Sequence, residues 1–321
     1  MQAIRLLPFL LGGWFVLPVH ADEAQDVLKR LAQADQQQSY QGTFIYERNG
    51  SFSTHRIWHR VTDGKLRERL LQLDGSAQEV LRAAGSTQCV SGTFAPGVAN
   101  VAASSSTRSF DFKKLSTWYD LKVVGKSRVA GRFTSILAIT PKDQHRYGVE
   151  LHVDDDTGLT LKSLLLSDKG QLLERFQFTD FDSVVPSDQS MQPSADCKAV
   201  SIPAKAKAEN PVASVGWRSD WLPVGFELTG SAARKDPASS AMVTSLMFSD
   251  GLARVSVFIE SAGNASSADI RTQLGPTVAV SRRLTTPQGD AMVTVVGEIP
   301  MGTAERIALS MRSNEAQAKK Q

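Results

Sequence analysis

Apolar and polar positions alternate along most of this chain, in short runs separated by turn residues. The clearest run spans residues 40–60, YQGTFIYERNGSFSTHRIWHR. Asn49-Gly50 suits a two-residue type I′ turn, whose central residues both need positive φ. The flanks are rich in β-branched and aromatic residues, so the stretch predicts a hairpin. A two-residue loop sets Phe44 opposite His55, Tyr46 opposite Ser53 and Gly42 opposite Ile57 on one face. Ile45 with Thr54, Glu47 with Phe52 and Gln41 with Trp58 then share the other. Neither face is cleanly polar, as it would be in a sheet with one side in water. The pattern fits a sheet covered on one face and lining a concave, partly apolar surface on the other.

The period changes on either side of the hairpin. Ala24, Val27, Leu28, Leu31 and Ala32 recur at helical spacing, so residues 22–38 predict an amphipathic helix. Asp22 and Glu23 fall in its first turn, where the helix dipole favours them. Its apolar stripe needs a surface, and the following sheet can supply it. Residues 64–82 read as strand, turn at Asp74-Gly75-Ser76, and strand, although Leu66, Leu70 and Leu73 also fit a helical stripe. A short strand over 87–94, a small polar loop over 95–109 and a helical turn over 110–118 come next. Strands over 119–128, 132–141, 147–154, 159–167 and 172–182 follow at hairpin spacing. Their connections are too short for parallel crossovers, which makes this an antiparallel meander.

Residues 182–212 are rich in Ser, Pro, Ala and Lys and read as an exit segment and a linker. A second unit opens on an aromatic-rich entry from Trp217. It carries strands over 242–248, 253–260, 281–286 and 291–299, then a helix over 303–312 with Ala304, Ile307, Ala308 and Met311 on one face. The expected class is α+β: a large antiparallel open barrel-like unit with a helix (22–201), a linker (202–213) and a smaller antiparallel α+β unit (214–318). The Lys319-Lys320 tail is expected to fray.

Composition narrows the function. The chain has 321 residues, 41% hydrophobic and 21% charged, with a net charge of +3. That charge is too small to argue for nucleic acid, and no basic run is interleaved with aromatics. Residues 1–21 hold one early cation, Arg5, an apolar run from Leu6 to Val19, and small side chains at Val19 and Ala21. This is the pattern of a secretory signal peptide, giving an expected mature start at Asp22. Cys89 and Cys197 would then sit in an oxidising compartment. Two readings stand for them, a disulfide or two buried thiols.

The sequence holds no catalytic motif, no nucleotide loop and no metal signature. His55 and His59 are four apart, which on a strand separates them by about 13 Å, too far to share an ion. His145 and His152 have no third ligand near them in sequence. Asp154-Asp155-Asp156 precedes Thr157-Gly158 and reads as a β-turn in preference to an oxygen-rich metal cluster. Arg67, Glu68 and Arg69 read as a solvated strand edge. No catalytic residue, cofactor or metal is expected. The surplus apolar residues point instead to a concave binding site.

GTFIYERNG with the later HR, ERLLQLDG with EVLR, then LPVGFEL, FSDGLARVSVFIE and VTVVGEIP resemble the MucB/RseB family. The resemblance covers both units and looks closest to the branch found in alginate-producing bacteria. It implies a larger domain like the lipoprotein carriers LolA and LolB, an unclosed barrel around a helical element. It implies a periplasmic negative regulator that binds the periplasmic part of a transmembrane anti-sigma factor and shields it from regulated proteolysis. It also implies relief of that protection by lipid-like molecules. Phe44, Tyr46 and Ile57 are the candidates for lining a lipid cavity, with Trp58 on the opposite face; plain core is the competing role for all four. Trp217, Trp221 and Phe226 are candidates for a domain interface or partner surface, against packing within the small unit. A periplasmic lipid or lipoprotein carrier is the competing function, though it leaves the second unit without a task. An undetected hydrolase is a third. A homodimer is the default oligomer.

Overall fold

The computed structural model describes residues 19–84, 86–92, 111–200, 216–236, 241–262, 269–287 and 289–314. Helix α1 (Val19–Gln37) leads into β1 (Tyr40–Arg48), β2 (Ser51–Thr62), β3 (Lys65–Gln72), β4 (Glu79–Ala83) and β5 (Ser86–Ser91). A short helix α2 (Phe112–Trp118) precedes β6 (Tyr119–Val129), β7 (Arg132–Pro141), β8 (Gly148–Asp154), β9 (Thr160–Leu166), β10 (Leu172–Asp182) and the two-residue β11 (Lys198–Ala199). These strands form one 11-stranded antiparallel sheet in the order β11-β5-β4-β3-β2-β1-β10-β9-β8-β7-β6. It is open, with β11 and β6 as its edges.

Local chemistry sets the register. Asn49 and Gly50 adopt φ of 53° and 73°, as a type I′ turn requires. The hairpin pairs Phe44 with His55, Tyr46 with Ser53 and Gly42 with Ile57, as the sequence predicts. Gly42 is required by a close approach: a Cβ there would lie 2.4 Å from the Asp180 carbonyl oxygen on β10. Through that β1–β10 pairing the first strand meets the last strand of the meander.

Helix α1 packs on one face of the sheet. Ala24, Val27, Leu28 and Leu31 pack on Leu121, Leu137, Ile139, Leu151 and Val153. Ala34 joins a second cluster with Tyr40, Phe44, Tyr46, Ile57, Leu70, Leu161, Phe176 and Phe178. Leu70 therefore belongs to a strand, which settles the helical alternative for residues 64–82.

The smaller unit contains β12 (Trp217–Ser219), β13 (Glu227–Lys235), β14 (Met242–Ser249), β15 (Arg254–Ser261), β16 (Ile270–Leu274), β17 (Thr277–Thr286), β18 (Gly289–Gly297), α3 (Met301–Ser310) and β19 (Met311–Ser313). Six strands form a sheet in the order β13-β14-β15-β18-β17-β16, and β12 pairs with β19. Ala304, Ile307 and Ala308 of α3 share the core with Val257, Val280, Val293 and Val295.

Two expectations change. Arg67, Glu68 and Arg69 are not on a solvated edge, because β3 lies between β2 and β4. Glu68 is 3% exposed and meets His59 Nδ1 at 3.3 Å and Arg82 at 3.4 Å. The exit segment after β10 is also more than a tether. It is held to the sheet where Arg69 donates to the Ser190 carbonyl at 2.8 Å and Ser194 donates to Glu79, and it ends in the Cys89–Cys197 disulfide. Hydrogen bonds from Ser194 and Arg69 outweigh burial, which by itself would raise the Glu79 pKa, and hold that carboxyl below its usual range. The leader up to residue 18, the loop 95–109, the linker 202–213 and the Lys319-Lys320 tail lie outside the described residues.

Candidate functional site

The first hairpin places Phe44, Tyr46 and Ile57 on the face that packs with Ala34 of α1, 0%, 2% and 3% exposed. They face packed side chains. Phe44 lies 4.7 Å from the Phe176 ring and stacks on His55 at 5.2 Å. Burial pushes His55 down to about 4, with Asp74 opposing weakly from a distance. Trp58 points to the other face, where the guanidinium groups of Arg69 and Arg56 lie 4.8 and 5.4 Å from its ring. An apolar ligand on the face that α1 covers has to displace this packing or the helix.

One end of the buried cluster turns polar. The Tyr46 hydroxyl donates to Glu174 at 2.6 Å. Burial and the Glu174 carboxylate hold that phenol well above its ordinary range. Arg48, two residues on and on the same face, donates to Glu174 at 3.1 Å and to the Tyr46 oxygen at 3.3 Å. The same guanidinium reaches the smaller unit, where it donates to the Leu274 carbonyl at 3.4 Å, to the Thr277 hydroxyl and to Glu298 at 3.5 Å. Its aliphatic stem crosses Gly275, where a Cβ would lie 2.8 Å from Arg48 Cγ.

A second junction lies around Arg146, in the connection between β7 and β8. Arg146 and Asp250 are both 0% exposed and meet at 2.7 Å across the two units. The Tyr119 hydroxyl donates to the same Asp250 oxygen at 2.8 Å. The Arg146 guanidinium lies 5.2 Å from the Phe226 ring, 5.4 Å from Tyr119 and 5.9 Å from Trp118. It also meets Asp143 at 3.0 Å and donates to the Val224 carbonyl. Beside it Gly225 has φ of 93°, and a Cβ there would sit 2.3 Å from the Trp118 indole, so only glycine fits. Tyr147, whose pKa burial pushes up to about 12 with help from Asp168 and Glu298, donates to the Ile299 carbonyl at 3.0 Å.

Phe226 is thus at the junction. Trp221 packs on the small unit's core, has its ring 5.1 Å from His145 of the large unit and has Arg306 3.9 Å above it. Trp217 packs on the same core. Sequence reasoning missed Arg48, Arg146, Glu174 and Asp250. Asp250 reads as an ordinary turn residue in Ser249-Asp250-Gly251, and its second role is invisible without the β7–β8 connection that carries Arg146. The one available signal was Arg48 on the alternating face that otherwise holds Phe44 and Tyr46.

The chain matches the family model of the MucB/RseB N-terminal domain over residues 23–195 and that of the C-terminal domain over 211–312. It is 58% identical to the sigma factor AlgU regulatory protein MucB of Pseudomonas aeruginosa, over 99% of this chain and 100% of that protein. It is 29% identical to the sigma-E factor regulatory protein RseB of Escherichia coli, over 91% of each. The crystal structure of MucB in complex with MucA(peri) superposes with a TM-score of 0.77 at 56% identity, covering 90% of this chain and 98% of that one. A further crystal structure of MucB superposes with a TM-score of 0.64 at 54% identity, covering 91% and 98%. Two matching domain models in the same order, with a full-length relative at this identity, place the chain in the MucB/RseB family.

Proposed function

We propose that this chain is a periplasmic negative regulator of sigma-factor signalling. It binds the periplasmic part of a transmembrane anti-sigma factor, protects it from regulated proteolysis and senses lipid-like stress signals. The observation that carries this reading is the full-length similarity to MucB, together with superposition on MucB in complex with MucA(peri). In this reading residues 1–21 are a removed leader, residues 22–201 and 214–318 are the two domains, and 202–213 link them. The protein acts by binding and has no catalytic residue. Lipid enters the concave face at Phe44, Tyr46 and Ile57, with Trp58 behind it. Trp217, Trp221 and Phe226 shape the partner side of the smaller domain through the junction they buttress.

Lipid and partner favour different arrangements of the two domains, so each weakens the other's binding by the same factor. The test is a pull-down of the mature chain with the periplasmic segment of the anti-sigma factor from the same cell, with and without saturating lipid. Capture that falls as lipid rises supports the reading. No capture sinks the regulator. Equal capture at every lipid level sinks the coupling.

A further inference from the structure

We propose that, among the contacts joining the two units, the Arg146 junction acts as a fixed pivot and Arg48 as a releasable clasp, and that Tyr46 couples the clasp to the large unit's core. This deepens the function proposed above and rests on it for the lipid, but the mechanical part stands alone.

The pivot is Arg146 with Asp250. Both are 0% exposed, and the guanidinium is boxed by the rings of Phe226, Tyr119 and Trp118. Separating a buried pair leaves two uncompensated charges, so this contact resists opening.

The clasp is Arg48. Its side chain is 9% exposed, Glu174 is 16% and Glu298 is 48%, so water reaches part of this cluster. At this cluster the small unit holds Arg48 through the Leu274 carbonyl, the Thr277 hydroxyl and Glu298, groups around the β16–β17 turn and the end of β18. A single side chain crossing Gly275 can leave without exposing a hydrophobic core. The Glu298 end of the cluster is open to water, and ion pairs that water reaches contribute little net stability.

Tyr46 supplies the coupling. Its ring belongs to the buried cluster with Phe44, Ile57 and Phe176, and its hydroxyl holds Glu174, the carboxylate that aims Arg48. A guest that displaces the ring removes the Tyr46 hydroxyl from Arg48 and lets Glu174 move. That makes one element biased from both sites, which is what coupling requires. The crystal structure of MucB with MucA(peri) and the further crystal structure of MucB also superpose on this chain to unequal extents.

The test is a pair of distance measurements by pulsed electron resonance on the mature, disulfide-bonded chain. Labels at exposed Lys169 and Thr272 report the clasp; labels at exposed Lys113 and Arg254 report the pivot. Arg48→Met is expected to lengthen and broaden the first distance and leave the second sharp. Tyr46→Phe keeps the ring and the fold, and is expected to shift the first distance the same way. An unchanged first distance in Arg48→Met overturns the clasp, and an unchanged one in Tyr46→Phe overturns the coupling. Equal broadening of both distances overturns the pivot. A brominated lysophosphatidylcholine, whose entry quenches tryptophan fluorescence, is then added to the wild type. Quenching with a lengthened first distance supports the coupling, and quenching without it overturns it. No quenching removes this lipid from the proposed function, while the two variants by themselves decide the clasp and the coupling.

Discussion

Asp250→Asn removes the charge at the pivot while keeping the turn that Asp250 caps. The wild-type carboxylate accepts the N–H groups of Leu252 and Ala253 at 2.8 and 2.7 Å through one oxygen, and an asparagine oxygen can keep both. The β14–β15 turn therefore survives. What disappears is the negative charge 2.7 Å from Arg146, together with the oxygen that accepts the Tyr119 hydroxyl, at a site where both charged residues are 0% exposed. Breaking a buried pair from one side costs about 3–5 kcal/mol. Arg146 keeps Asp143 at 3.0 Å, which argues for the lower end, about 3 kcal/mol. For a chain of this size each kcal/mol moves the melting temperature by about 2–4 °C, so a loss of roughly 6–12 °C is expected. Calorimetry and urea denaturation read this directly. Arg146→Met and the double variant complete a cycle, which should show a coupling of about 2 kcal/mol or more because the two groups touch. A loss under about 1 kcal/mol with additive variants would refute the view that the charge pair fixes the junction.

Further outcomes follow from other sites. Replacing Cys89 and Cys197 by serine should lower stability by about 4–5 kcal/mol on chain entropy alone, since the bond spans a sequence separation of 108; urea curves with and without reductant test it. Gly225→Ala should cost roughly 2–3 kcal/mol, because its Cβ would enter the Trp118 ring, whereas Gly131→Ala, with open space around it and only a positive φ to satisfy, should cost about 1 kcal/mol. His55 has its pKa pushed down from 6.5 to about 4 by burial. Between those values the unfolded chain binds the proton and the folded chain does not. Stability from this residue is therefore full above about pH 6.5 and falls as the pH drops toward 4, by roughly 3 kcal/mol. Denaturation midpoints across that range should fall less steeply in His55→Gln, and an identical slope would remove His55 as the cause.

Local signals were legible where the answer is local. Asn49-Gly50 determines its own turn, and the alternation around it then fixes which side chains share a face. The stripe of Ala24, Val27, Leu28 and Leu31 announces a buried helix face for the same reason. Sequence pattern did not reveal the two-residue β11, nor β12, β13, β16 or β19. Of these, β12 and β19 are only three residues each, β16 is exposed throughout, and β13 is largely exposed with Gly230 and Ala232 along it. Such strands are set by their partners across the sheet and carry little period of their own. Arg67 to Arg69 misled for a related reason. Charge suggests solvent, but Glu68 is buried because His59 and Arg82 are there to meet it.

The same limit explains why the first hairpin looked wrong for a sheet with one wet face. Its inner face carries Tyr40, Phe44 and Tyr46 toward the core, then ends on Arg48, which a core cannot hold. An arginine continuing an apolar stripe has to find acceptors, because its guanidinium stays charged in proteins. Here the acceptors belong to Glu174 of the same sheet and to Leu274, Thr277 and Glu298 of the other unit. The irregularity in the pattern is therefore the place where a side chain of one unit grips the other. A hairpin that served only as cavity wall would have no use for that residue, and a hairpin that served only as interface would have no use for Phe44. Having both on one strand gives the buried cluster and the domain junction a shared backbone.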